Sequence, residues 1–186
     1  YHLAETRYKQ ALNRFTSIEH VGGVVEVHLK LGSVNIQKGE YGAAKMEFEA
    51  ALAGATEHGL YLACIDAHVG LGQGLQRLGQ YHEALDEFHH ALTLVEETGD
   101  NFRVNQILGY TGRTYLDLGE YHKALSMFNK VVEQSKHVGD KQTMGVYTGM
   151  IGQSYSVQGD YEQAIVNFDK SITILDEVGD RFHIAS

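Results

Sequence analysis

Histidine is the residue of this sequence best suited to metal or acid–base chemistry, with 11 copies among 186 residues. His82, Glu83 and Asp86 begin like a helical zinc motif, but Asp86 stands where that motif needs its second His. His89 and His90 are adjacent, so on a helix they point about 100° apart and cannot easily clamp one ion. We therefore expect surface histidines and no metal site.

Cys64 and His68 lie one turn apart if their segment is helical, a spacing that allows a nucleophile and its base. A small buried thiol is the commoner reason for such a Cys. Gly70, Gly72 and Gly74 differ in spacing from a dinucleotide-binding loop and follow no predicted strand. The sequence contains no phosphate-binding Gly-Lys-Ser/Thr element. We expect no catalytic residue and no cofactor, so this segment is predicted not to be an enzyme.

Charge and composition narrow the class of partner. The net charge is −9, from 15 basic and 24 acidic residues, which disfavours nucleic acid as the main partner. No apolar run approaches the roughly 18 residues of a membrane span, so we expect no membrane partner. A single Cys excludes an intrachain disulfide framework and is typical of a reducing compartment, so we expect a cytoplasmic location. The combination of 21 Gly with no Pro needs a positional explanation.

A 40-residue repeat supplies that explanation. Gly-x-Tyr elements recur at Gly39, Gly79, Gly119 and Gly159. Three residues after each Tyr comes Ala44, Ala84, Ala124 or Ala164, and four further on comes Phe48, Phe88, Phe128 or Phe168. Seven residues before the first column stands a second one, at Gly32, Gly72, Gly112 and Gly152. A third column is formed by Gly59, Gly99, Gly139 and Gly179. Such agreement over four copies indicates a repeat architecture.

Within each copy the apolar residues have the spacing of two helices. In the third copy, Leu108 and Tyr115 mark one face of a first helix, which Gly119 ends. A second apolar stripe follows, at Tyr121, Ala124, Leu125, Phe128, Val131 and Val132. Gly139 is placed to end that helix as a left-handed cap, and Asp140 to cap the next. Each copy is therefore predicted to be a helical hairpin, which must stack on its neighbours to bury its apolar stripe.

These elements resemble the tetratricopeptide repeat over essentially the whole chain. The resemblance is carried by Gly112, Tyr115, Gly119, Tyr121, Ala124 and Phe128 and their counterparts in the other copies. It implies an all-α fold, a right-handed superhelical solenoid of antiparallel helix hairpins. The terminal Pro of the family pattern is missing, and the period of 40 exceeds the usual 34. The longer variant is similar to the repeats of the Pins/LGN spindle-orientation scaffolds and to arrays of bacterial regulatory proteins.

We predict a single array fragment over residues 1–186. The predicted parts are the second helix of a truncated repeat at 1–20, repeats at 21–60, 61–100, 101–140 and 141–178, and the start of a further repeat at 179–186. Neither end has the polar outer face of a capping repeat. We therefore expect further repeats outside this segment, and homodimers or end-to-end stacking through the uncapped ends.

The resemblance implies that the first helices line a concave groove that binds peptides or helices. The amide, Arg and Tyr side chains predicted to contact a peptide there are Gln73, Gln76, Arg77, Gln106, Tyr110, Arg113 and Gln153. Arg offers a bidentate fork to carboxylates, and Gln both donates and accepts hydrogen bonds. The alternative is that these are only solvated helix positions. Gly109 and Gly149 are expected to thin the wall of the groove.

The resemblance and the groove together favour a protein–protein interaction module, a scaffold or adaptor that binds a peptide or protein segment. The alternative is a sensory or regulatory domain of a multidomain signalling protein, such as a transcription regulator, cyclase or kinase. In that case peptide binding or self-association would control the attached domain. A domain adjoining this segment distinguishes the two.

Overall fold

The repeat pattern folds into helices separated by tight glycine turns. The computed structural model describes residues 2–96 and 98–184, and the side chains of residues 3–96 and 98–179. It divides into two compact units, residues 1–99 and 100–186. The first unit contains α1 (His2–Ser17), α2 (Val21–Lys38), α3 (Tyr41–Glu57), α4 (Tyr61–Arg77) and α5 (Tyr81–Glu96). The second contains α6 (Asn101–Asp117), α7 (Tyr121–Val138), α8 (Lys141–Gln158) and α9 (Tyr161–Ile184).

Within each unit, consecutive helices pack against one another as the hairpin pattern predicts. Over residues 2–96 and 98–184 the structure contains helices and turns but no strand, so the predicted all-α hairpin fold is confirmed. The description of the whole chain as one array, with the repeat boundaries given above, stays a prediction. None of the helices in the described ranges is long and apolar enough to cross a membrane.

The Phe and Gly columns bring the two helices of a hairpin together. A methyl group added at Gly112 of α6 would lie 2.5 Å from Cε1 of Phe128 on α7, closer than real side-chain contacts allow. Phe128 is fully buried against this surface, as Phe88 is in the first unit. The ring therefore occupies the space that a side chain on the facing helix would need, and the backbone can approach closely.

In two of the connections between hairpins, a Gly ends one helix and an Asp caps the next. Gly139 has a φ of 74°, a left-handed conformation that favours Gly, and it ends α7. The carboxylate of Asp140 then accepts a hydrogen bond from the backbone N–H of Thr143 at 3.0 Å and caps α8. Asp100 caps α6 in the same way through the N–H of Arg103. The predicted Gly-Asp boundary is confirmed at both places.

Gly179 departs from its column. The sequence predicts a helix end at this Gly and a further repeat beyond it, but α9 runs through Gly179 to Ile184. A Gly inside a helix costs only about 1 kcal/mol relative to Ala, so it does not end a helix without help. At Gly139, in contrast, the next helix begins with a side-chain cap and packs against its predecessor.

Candidate functional site

A cleft of about 240 Å³ lies in the second unit, between the amino-terminal ends of α6 and α8. It is lined by Asn101, Phe102, Asn105, Gln106, Val138, Asp140, Thr143 and Tyr147. Most of these come from the first two turns of the two helices, Asp140 is the cap of α8, and Val138 comes from the last turn of α7. The Gly-Asp boundary therefore shapes the cleft, because it sets where α7 ends and α8 begins.

Asn105 is the most unusual residue of this cleft. The residue is only 9% exposed, yet its Oδ1 finds no hydrogen-bond partner among the described residues. The same position of the repeat holds Val25, Ile65 and Gly145 in the other copies. A buried amide with an unpaired oxygen costs about 1–3 kcal/mol, so packing alone does not explain an Asn here. Asn105 lines the cleft, and because its Oδ1 is shielded from solvent in this structure, a donor from another molecule reaches that oxygen only if the side chain turns toward the cleft.

Tyr147 of α8 forms the opposite side of the cleft. Its hydroxyl donates to the backbone carbonyl of Asn105 at 3.4 Å, which joins α8 to α6. Burial raises the pKa of the Tyr147 phenol, the neighbouring Tyr110 phenol raises it further, and the Arg113 cation offsets part of that rise. The phenol is therefore neutral and a hydrogen-bond donor at neutral pH.

The contact of Tyr147 with Gly109 corrects one expectation. A methyl group at Gly109 would lie 2.7 Å from Cζ of Tyr147, so the Tyr147 ring occupies that space. At Gly149 the added methyl would meet Oγ of Ser171 on α9 at 3.1 Å. Both glycines therefore accommodate neighbouring side chains, and the expectation that they thin an open groove wall is wrong.

Three of the predicted groove residues come together on α6. Gln106, Tyr110 and Arg113 are spaced four and three residues apart and so share one face. The Nε2 of Gln106 donates to the hydroxyl of Tyr110 at 3.5 Å. Gln106 also lines the cleft, and Arg113 is close enough to affect the pKa of Tyr147. Gln153 is exposed about three turns beyond Thr143 on α8.

The other three predicted residues belong to the first unit. Gln73, Gln76 and Arg77 lie in the last turns of α4, where the two amides are half-buried and the guanidinium is exposed. They therefore lie close together at the end of one helix of the first unit.

Four residues of the cleft were not predicted from the sequence: Asn105, Tyr147 and the exposed apolar residues Phe102 and Val138. A signal for Asn105 was present, since a polar residue interrupts a column that is otherwise apolar or small. Tyr147 likewise occupies a column that holds Val27, Ala67 and Ile107 in the other copies. A position-by-position comparison of the repeats, which looks for residues that differ in type from the rest of their column, would have found both residues.

The histidines and Cys64 have partners that spacing along one helix did not indicate. Cys64 Sγ lies 3.8 Å from the hydroxyl of Thr56, and His68 Nδ1 lies 2.6 Å from a carboxylate oxygen of Glu87 on the next helix. His68 therefore pairs with Glu87 rather than with Cys64. His89 and His90 are exposed, as predicted.

A fold of stacked helical hairpins with a cleft between its first helices is typical of repeat proteins that bind other proteins. The chain belongs to the tetratricopeptide repeat family. Models of that repeat match residues 62–137, 25–53 and 149–174, which together cover more than half of the chain. The sequence has no significant match among curated proteins.

Several solved structures share the fold. BtubC (BKLC) from P. vanneervenii is 19% identical with a TM-score of 0.83, over 94% of this chain and 73% of that one. PH0952 from Pyrococcus horikoshii, a signal transduction ATPase with numerous domains and a tetratricopeptide repeat sensor, is 16% identical with a TM-score of 0.77, over 86% of this chain and 25% of that one. A Rap protein complexed with competence and sporulation factor is 17% identical with a TM-score of 0.75, over 99% of this chain and 53% of that one. At these identities the likeness concerns the fold alone.

Proposed function

We propose that the second unit binds an extended peptide segment of a partner protein in the cleft between α6 and α8. As a member of the tetratricopeptide repeat family, the chain is a protein-interaction module. That it carries no enzymatic activity remains a prediction. The observation that supports peptide binding in this cleft is the buried Oδ1 of Asn105, which lacks a hydrogen-bond donor within the described residues.

The chemistry of the cleft suits a peptide backbone. An Asn side chain offers an acceptor and two donors, which can pair with the N–H and C=O of an extended strand. Gln106 adds a second, exposed amide beside it. Phe102 is 73% exposed and Val138 66% exposed at the edge of the same cleft, where they offer apolar contact to a side chain of the bound segment.

The positive charge further along α6 predicts a sequence preference. Arg113 lies eight residues after Asn105, which corresponds to about 12 Å along the helix. An extended peptide covers that distance in about four residues. We therefore propose that the bound segment carries an acidic residue, or its own carboxyl terminus, about four residues from the residue paired with Asn105. Arg113 can hold that carboxylate with two parallel hydrogen bonds.

A second surface, at the end of α4, is proposed for the first unit. Gln73, Gln76 and Arg77 are proposed to contact a peptide segment along the last turns of α4, because they offer the same amide and guanidinium groups. This surface rests on residue types and exposure, whereas the α6–α8 cleft also has an unpaired buried acceptor.

A displayed peptide library selected against the purified chain tests the proposal. A synthetic peptide from the selected pool is then titrated against the chain and three variants, with fluorescence anisotropy as the readout. Asn105→Val gives the cleft the apolar residue found at Val25 and is expected to weaken binding at least about tenfold, the cost of leaving one buried pair unmade. Asn129→Ala removes an exposed amide of α7 and is expected to change nothing.

The third variant, Arg113→Ala, tests the sequence preference. It is expected to abolish the advantage of peptides with the acidic residue over matched peptides carrying Gln or an amide terminus. Selected peptides that bind wild type and Asn105→Val equally would contradict the cleft as the site. An unchanged acidic preference in Arg113→Ala would contradict the role of that Arg alone.

A second candidate function is a sensory domain that controls an attached effector domain. The similarity in fold to PH0952, whose repeats are described as a sensor, supports it. The two candidates share the cleft and differ in the consequence of binding. Reading the coding sequence on either side of this segment separates them, because an adjoining catalytic or DNA-binding domain favours the sensor.

A further inference from the structure

Three potential metal ligands meet on the first unit. One donor atom each from His68, Glu87 and His90 lies within 4.8 Å of the other two. His68 Nδ1 and a Glu87 carboxylate oxygen are 2.6 Å apart, and the rings of His68 and His90 have centroids 5.3 Å apart.

The hairpin of α4 and α5 positions these ligands. Glu87 and His90 are three residues apart on α5, so they share one face of that helix. His68 reaches them from α4, which packs directly against α5. The side chains of His68 and Glu87 are only 15% and 24% exposed, so the pair is held in place, while His90 is exposed and free to adjust.

We propose that His68, Glu87 and His90 bind a divalent transition-metal ion of the Zn²⁺ class. Two imidazoles and one carboxylate are the donors that such ions prefer, and three protein ligands leave a position open for water or an external donor. Zinc ligands lie about 2.0–2.2 Å from the ion, so two donors on one ion are at most about 4.4 Å apart. The donors lie within 4.8 Å of one another, close to that range, and the 2.6 Å contact of His68 with Glu87 has to lengthen to about 3.3 Å, the spacing of two ligands on a tetrahedral ion.

The first hairpin of the chain can be compared with this site. In the first hairpin, His28 Nδ1 lies 2.6 Å from a carboxylate oxygen of Glu47, which reproduces the His68–Glu87 pair 40 residues earlier. The position equivalent to His90 is there occupied by the exposed Ala50. A His–Glu pair between neighbouring helices therefore recurs in the first two hairpins, and the third ligand is what distinguishes the second of them.

Calorimetric titration with ZnCl₂ alone tests the site, with Co²⁺ and its visible absorption as a second readout of the ligand geometry. Wild type is expected to bind one ion. His90→Ala is expected to lower the affinity at least about tenfold, since even residues that only support a ligand cost 10- to 100-fold. His89→Ala removes the adjacent exposed His and is expected to bind like wild type. Equal affinities for wild type and His90→Ala would overturn the proposal, as would an equal loss in His89→Ala.

A transfer of the site gives the sharper test. In the variant that combines His90→Ala with Ala50→His, the first hairpin gains the third ligand that the second has lost. Binding of one ion should return, together with the Zn²⁺-induced rise in thermal midpoint that mass action requires. Circular dichroism at each step confirms that the exposed substitutions leave the helices intact. A folded double variant that does not regain binding contradicts the assignment of the three ligands.

Discussion

Gly72 of α4 faces the ring of Phe88 on α5, and a methyl group at Gly72 would lie 2.7 Å from Cδ1 of that ring. Phe88 is completely buried there. Phe48 of the preceding hairpin faces two such positions, Gly32 and Gly70, and a methyl group at Gly70 would come within 2.5 Å of its Cδ1. The close approach of helices in the first unit therefore depends on the absence of side chains at these positions.

Replacing Gly72 by Ala should destabilise the first unit. The added methyl has no space unless Phe88 or the backbone of α4 moves, and overpacking of this kind costs about 1–3 kcal/mol. The higher helix propensity of Ala stabilises the helix by only about 1 kcal/mol, so we expect a net loss of stability. The free energy of unfolding in urea measures the effect. A Gly72→Ala variant as stable as wild type would show that the ring contact does not limit the helix spacing.

Gly74→Ala on the same helix is the matched control with the opposite sign. A methyl group there would have its nearest neighbours at 3.7 Å, on Ile36, and at 3.9 Å, the carbonyl of Tyr41, which are ordinary contacts. Replacing Gly by Ala inside a helix then contributes up to about 1 kcal/mol. The same urea titration should show an increase, and a decrease would contradict the space found at Gly74.

Asp140→Ala should destabilise the second unit by about 1 kcal/mol, the usual effect of removing a helix cap. Hydrogen bonding to Thr143, through its side chain and its backbone N–H, holds the pKa of Asp140 below its usual range. Because the pKa of Asp140 is lower in the folded state, its charge stabilises the fold fully when the pH is above the pKa of Asp140 in the unfolded chain. This stabilisation is lost as the pH falls through the pKa of Asp140 in the folded state.

The test of this titration is the difference in unfolding free energy between wild type and Asp140→Asn across the acid range. Asn caps a helix about as well but does not titrate, so the difference should shrink as the solution is acidified. A difference that stays constant with pH would show that the carboxylate charge contributes nothing to the cap.

Asn105→Val should leave the stability of the second unit unchanged or raise it, by up to roughly 1–3 kcal/mol. The substitution removes a buried oxygen that has no partner within the described residues, and restores the apolar type found at Val25. Thermal unfolding measures the effect. A large loss of stability would show that Asn105 serves the fold, which would remove the main support for its role in binding.

We propose that the exposed apolar face of α9 makes the chain self-associate. Ile165 and Ile172 are 60% and 57% exposed, and Phe168 is 38% exposed, whereas its counterpart Phe128 is completely buried. Sedimentation is expected to show dimers or larger species that increase with concentration. The combined substitutions Ile165→Glu and Ile172→Glu should abolish them, because charged side chains cannot be buried in such a contact. A wild-type chain that stays monomeric at high concentration would refute the proposal.

The sequence predicted what depends on local pattern. Helix ends at Gly139 and Gly119, the cap at Asp140 and the Gly112–Phe128 contact all involve near neighbours within one repeat, so their spacing alone indicates them. Gly179 shows the limit of this argument, because a Gly ends a helix only where the following structure supports the turn.

The site was predicted less completely, since it depends on contacts between helices of different repeats. Gln106, Tyr110 and Arg113 were found because they share a helix face. The contact of Tyr147 with Gly109 joins positions 38 residues apart, and His68 meets Glu87 across two helices. No spacing rule along a single helix indicates such pairs.

The most direct measurement of the central claim is the NMR signal of the Asn105 side-chain amide during titration with a selected peptide. If the peptide pairs with Asn105, this amide should show the largest shift among the Asn side chains, and signals of Gln106 and Tyr147 should move with it. Shifts confined to the first unit or to the outward residues of α7, with the Asn105 signal unchanged, would contradict binding in the cleft between α6 and α8.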